Sequence, residues 1–208
     1  SNFCTSMDQL LEFYQKTFYA HQFGDMQQVG EKIRDVVGSL REYDFIQEDG
    51  LKATKIGKKV SDLYIDPDSA HHILESLEKA EGTETRPISY LFMLSQTSEM
   101  APRLRVKDKE WSDYQNALQD AEIYLLDSVP NEWEAGYETF LESMKTAMMM
   151  QSWIQEMDEE RIMQEFSTAP GGIRAKMQNA DWLLYGAKEL TRMKQMESKE
   201  VEKDIEKL

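Results

Sequence analysis

The chain has 208 residues, enough for one large or two small domains with a real core, and its 40% hydrophobic and 10% aromatic shares with five prolines exclude a largely disordered polymer. A 30% charged share with only ten glycines favours helices, a single cysteine excludes an intramolecular disulfide framework, and no apolar run of signal-peptide or membrane-spanning length is present, so a cytoplasmic protein with no membrane partner is expected. The net charge of −15 argues against a non-specific coat for nucleic acid, because phosphate binding relies on local cations.

Ser6 followed by Gln9 resembles a capping box, and Leu10, Leu11, Phe13, Tyr14, Thr17 and Phe18 continue at helical spacing. The helix-spaced aromatics Phe13, Tyr14, Phe18, Tyr19 and Phe23 read as core. After the break at Gly24 and Asp25, Val29, Ile33, Val36, Val37 and Leu40 make the apolar face of a second helix that reaches about Tyr43. Phe45–Glu48, a turn at Asp49 and Gly50, and Leu51–Thr54 have the pattern of a short β-hairpin. Thr54 is placed to cap a helix from Ile56 to Tyr64. Helix, helix, hairpin and helix within this span predict a winged-helix module of three-helix type with a β-hairpin wing, over 1–65 and clipped at its start.

Asp66 and Pro67 open a second, helical-bundle region over 66–208. Spacing predicts helices over 67–80, 87–96, 107–127, 134–157, 159–166 and a long one over about 170–196, with a charged extension to Leu208. Gly82, Pro102, Pro130 and Gly171–Gly172 punctuate them. The predicted class is mainly α.

The long helix carries the most informative pattern. At about 100° per residue, Ile173, Met177, Ala180, Leu184 and Ala187 form one apolar stripe, widened by Leu183 and Leu190. Trp182 falls nearly opposite, in a strip with Ala175, Gln178, Tyr185, Gly186 and Glu189 that suits a stacked nucleobase. The alternative is that Trp182 packs on another helix or a further domain. Local charge also departs from the total: Lys52, Lys55, Lys58 and Lys59 stand within 51–60 without an acid, and 173–194 holds five Lys or Arg against Asp181 and Glu189.

No catalytic set is nominated. Ile56–Lys59 lacks the spacing and hydroxyl of a phosphate-binding loop, and Asp158–Arg161 follows a helix, where acids favour the next helix start through its dipole. His71 and Glu75 have a two-ligand i, i+4 spacing, short of the four that a structural zinc takes, so no metal is expected. Met148–Met150 and Trp153 read as core of their helix, and Cys4 has no evident activating base.

Several segments resemble the archaeal superfamily-two DNA helicases of the Ski-like branch. Phe13–His21 resembles that family's winged-helix opening, and Leu51–Pro67 its wing, last helix and exit. Lys145–Ala147, Trp153–Glu156, Asp158 with Glu159, Ala169–Gly171 and Asn179–Tyr185 resemble its helical ratchet domain. The resemblance implies the accessory, non-motor part of an ATP-dependent 3′-to-5′ DNA helicase that unwinds forked or lagging-strand DNA in replication restart and repair. It implies upstream motor domains that hold ATP and Mg, no cofactor and no activity in this piece alone, and a monomer.

In that family an aromatic and a basic side chain of the long ratchet helix stack on single-stranded bases. Trp182 matches the aromatic, while Ala175 stands at the basic position with Arg174 beside it. Gly171–Gly172 replaces a start that carries a capping carboxylate. Trp182 is thus the expected stacking platform, Arg174 with Lys188 or Arg192 the expected phosphate screen, and Gln178 and Tyr185 further contacts. Lys52, Lys55, Lys58 and Lys59 offer a duplex contact on the wing, although a hinge packed on the motor is the preferred reading of that module. The competing class is a protein-interaction scaffold without nucleic-acid binding, in which Trp182 anchors an interface.

Overall fold

Ser6 and Thr54 each start a helix as their neighbours predict. The Ser6 Oγ accepts from the Gln9 amide at 3.3 Å and the Thr54 Oγ1 from the Gly57 amide at 3.1 Å. The Gln9 side chain reaches back one residue further than a capping box requires, accepting from the Thr5 amide at 2.9 Å. The computed structural model describes residues 4–17, 22, 26–194 and 204. Phe18, Tyr19, His21, Phe23 and all of the predicted charged tail except Asp204 lie outside the described residues. The chain divides into two compact units, Ser1–Pro67 and Asp68–Leu208.

In the first unit, α1 (Met7–Gln15) packs on α2 (Met26–Glu42), and α3 (Lys55–Leu63) follows the connection. Val29, Val37, Phe45, Val60, Leu63 and Ile65 are buried. Two predicted core positions are not: Val36 is 52% and Phe13 49% exposed. The expected hairpin is reduced to one antiparallel bridge between Ile46 and Ala53, supported by Gln47 N to Lys52 O at 2.9 Å and Thr54 N to Phe45 O at 3.0 Å. Gly50, at φ +86°, makes the turn that L side chains resist. Gly57 permits the tightest approach of the unit, because a Cβ there would lie 1.9 Å from the Phe45 carbonyl oxygen.

The second unit comprises α4 (Pro67–Ala80), α5 (Pro87–Ser95), α6 (Trp111–Ala121), α7 (Tyr137–Ile154), α8 (Glu159–Phe166) and α9 (Pro170–Met193), with single 3₁₀ turns at Ser98–Met100, Asp108–Glu110 and Glu122–Tyr124. Helix α5 is apolar on every side, and Tyr90, Leu91, Phe92, Met93 and Leu94 are all at most 1% exposed, the pattern of a central helix. It packs most extensively on α7, which also receives α6 and α8, while α9 lies on α5, α7 and the Ser98–Met100 turn. Arg103 closes the end of α5, donating from Nε to the Ser95 carbonyl at 2.7 Å and from Nη2 to the carbonyls of Gln96 and Thr97.

The predicted 107–127 helix is broken into α6 flanked by two 3₁₀ turns. At its start the Glu110 carboxylate folds back on the Lys107 amide at 3.2 Å. The predicted 134–157 helix is shortened at both ends, by Gly136 at φ +102° and by Glu156 at φ +60°. Among the described residues no helix is long and apolar enough to cross a membrane.

Sequence reasoning placed no charge in the core, yet Lys145 of α7 is fully buried. Its Nζ donates to Glu110 Oε2 at 2.6 Å and to the Arg105 carbonyl at 3.0 Å, and stands 5.2 Å from the centre of the Tyr114 ring. Burial pushes the Glu110 carboxyl upward, but hydrogen bonds from the Lys145 ammonium and the Lys107 amide outweigh it and hold the group below the ordinary carboxylate range.

Candidate nucleic-acid interface

Helix α9 begins without a side-chain cap, since Ala169 holds the N-cap position, and relies on Pro170 in its first turn. The missing carboxylate noted in the sequence is thus not replaced by another residue. Burial along the helix selects Ile173, Lys176, Ala180, Leu183, Ala187 and Leu190, joined by Gly186 and Thr191. This face is rotated by about 60° from the centre of the narrow stripe, toward the side on which Leu183 and Leu190 widen it. Lys176 takes the inward place expected for Met177, and Gly186, expected outside beside Trp182, is inside.

The physical reason lies in the Ser98–Met100 turn. The Lys176 ammonium enters the core to donate to the Met100 carbonyl, and Asn179 Nδ2 donates to the Glu99 carbonyl at 2.7 Å. Burial first, and the nearby Arg103 second, push the Lys176 amine below its ordinary value. Nothing in a single sequence signals this contact, because a lysine reads by default as solvated. Lys176 and Asn179 are the residues of this helix that the sequence reading passed over.

On the opposite side, Arg174, Gln178, Asp181, Tyr185 and Arg192 form an exposed line, with Tyr185 57% exposed. Trp182 is half-buried and flanks this line by about 60°, on the side of Ala175 and Glu189. Lys188, also half-buried, flanks it on the other side, so the structure does not gather all six expected residues into one strip. Arg174 pairs with Glu159 of α8 at 3.7 Å, and Arg192 with Glu189 at 3.4 Å. The arrangement offers a half-buried indole, a phenol, an amide and two guanidinium groups along one rod, which suits stacking and weak phosphate contact more than a deep pocket.

In the first unit Lys52, Lys55 and Lys58 are exposed and Lys59 is half-buried, so the basic character of the segment reaches its surface. Ile56–Lys59 lies within α3 with Gly57 against the Phe45 backbone, a geometry that cannot cradle phosphates. His71 and Glu75 approach to 3.5 Å, and among the described residues no group of three or more His, Cys, Asp or Glu could hold a metal ion. Trp133, which no helical projection singled out, is 94% exposed between α6 and α7.

A helical unit with a long amphipathic rod on its central helices belongs here to a class of helicase domains, for a family model described as "Archaeal helicase, domain 4" matches residues 88–208. The chain belongs to the archaeal helicase domain 4 family. Its relatives include the ATP-dependent DNA helicase Hel308 of Methanocaldococcus jannaschii, 37% identical over 185 residues, which make up 87% of this chain and 14% of the relative. The protein of the same name from Thermococcus kodakarensis is 33% identical over 188 residues, 89% of this chain and 16% of the relative. That from Methanocella arvoryzae is 36% identical over 198 residues, 92% of this chain and 26% of the relative. The chain therefore spans between about one seventh and about one quarter of the length of these relatives.

Proposed function

We propose that this chain is the accessory, non-motor part of an ATP-dependent 3′-to-5′ DNA helicase that acts on forked or lagging-strand DNA in replication restart and repair. In this reading the first unit is a winged helix that serves as a hinge, the second is the ratchet domain, and ATP and Mg are held by motor domains of the parent. Helix α9 grips single-stranded DNA, with Trp182 as the stacking platform, Gln178 and Tyr185 beside it, and Arg174, Lys188 and Arg192 near phosphates.

The observation that carries this reading is the line of Arg174, Gln178, Tyr185 and Arg192 on the outer side of α9, with the Trp182 ring at its margin. Stacking on an aromatic is worth about 1–3 kcal/mol per base and is tolerant of sequence, a strength that holds a strand without preventing its release. The overall charge of −15 is compatible with this, because stacking supplies affinity that phosphates alone would not.

The chain should bind labelled oligothymidine weakly, with affinity that rises with oligonucleotide length and falls with salt. Trp182→Ala should weaken that binding by about five- to hundredfold, the equivalent of one lost stack. Equal affinity of the two proteins would remove the stacking role. The scaffold reading draws on Trp133, an exposed indole between Glu132 and Glu134. It expects no oligothymidine affinity at all.

A further inference from the structure

We infer that Asn179 is a positioning residue for the strand-contacting side of α9, acting through the backbone carbonyl of Glu99 to set where Trp182 stands. This rests on the stacking reading above. The buried face of α9 near Trp182 is built mainly from small residues, Ala180, Gly186 and Ala187, with Leu183 the one large side chain among them. Apolar burial is non-directional, and small residues present few ridges to resist sliding or rotation of a helix. Directional contacts must therefore fix the register.

Those contacts cluster one turn before Trp182. Asn179 Nδ2 donates to the Glu99 carbonyl at 2.7 Å, and Lys176 Nζ to the next carbonyl, that of Met100. The accepting turn is itself held. The Ser98 amide donates to Ser69 Oγ at 3.1 Å, and that hydroxyl donates to Glu99 Oε2 at 2.6 Å. Ser69 is 4% exposed and Met100 fully buried, so the turn is an anchored reference and not a yielding loop. The surface pairs of Arg174 with Glu159 and of Lys194, at the C-cap, with Glu78 contribute little to geometry. Asn179 and Trp182 are i, i+3 neighbours, so rotation of the helix at the first moves the ring of the second.

The test uses the whole chain with Trp111, Trp133 and Trp153 replaced by phenylalanine, leaving Trp182 as the only indole. Asn179→Asp keeps the shape but turns an oxygen toward the Glu99 carbonyl. It should shift the Trp182 emission maximum and its quenching by acrylamide, and weaken oligothymidine binding by roughly three- to tenfold. Asn179→Gln, which keeps an amide donor, should lie nearer the parent in both readouts. Added to Trp182→Ala, Asn179→Asp should cost less than about a further twofold, because its effect passes through the indole. Unmoved Trp182 emission and quenching, or losses that multiply in the double variant, would overturn the positioning role while leaving stacking intact. Absence of oligothymidine binding by the unsubstituted chain would instead overturn the stacking reading and, with it, this role.

Discussion

Lys145→Ala should lower the stability of the chain by about 3–5 kcal/mol, measured by urea unfolding at neutral pH. The side chain it removes is fully buried and is the partner of a carboxylate that is only 17% exposed. Alanine leaves Glu110 without its ammonium, the Arg105 carbonyl without its donor, and a void beside Tyr114. Each is a recognised cause of large losses. Replacing both partners by apolar residues, Lys145→Met with Glu110→Leu, should recover most of the loss, because the charge left behind dominates the single variant and the pair's own net worth does not. A double variant as unstable as the single one would refute that account.

The same pair gives stability a pH signature with a definite sign. The Glu110 pKa is lowered on folding, so the stabilisation is complete above the ordinary carboxylate value of 4.5 and is lost as pH falls through the lower folded value. The stability gap between the parent and Glu110→Gln should therefore be widest near neutrality and narrow below about pH 4.5. A gap that stays constant between pH 7 and pH 3 would exclude this origin.

Gly57→Ala is expected to be nearly as damaging, costing about 3 kcal/mol. The added carbon would lie 1.9 Å from the Phe45 oxygen and 2.6 Å from its carbonyl carbon, both backbone atoms that cannot swing aside as a flexible side chain would. The Phe45 amide is bound to the Leu40 carbonyl at 2.9 Å and its carbonyl receives the Thr54 amide at 3.0 Å, so relief means breaking the bridge or lifting α3. Hydrogen exchange should show lost protection in α2 and α3 with α5 and α7 unaffected. Full protection in α3 would show that the approach is looser than described.

Features legible in the sequence share one property: their cause is local. Ser6 and Thr54 announce helix starts because a cap is settled within four residues, and Pro67, Pro87 and Pro170 mark three more because the ring suits a first turn. The mainly helical class and the family resemblance were readable for the same reason. What escaped is non-local. Lys145 and Lys176 look solvated until Glu110 and Met100 arrive from elsewhere in the chain, and the rotation of α9 follows from the second of them. The hairpin is reduced to one bridge because, among the described residues, Phe45–Gln47 and Lys52–Thr54 meet no third strand that extends the pairing.

Being covered on every side, α5 leaves its unit no border at which loss of order can begin cheaply. Helices α7 and α9 both rest on it, so exposing either should expose α5 as well, and the amides of all three should open as one block with a common free energy. If the chain is coupled to a motor as proposed, such all-or-none behaviour would mean that force is met by the whole assembly and not by its outermost turn.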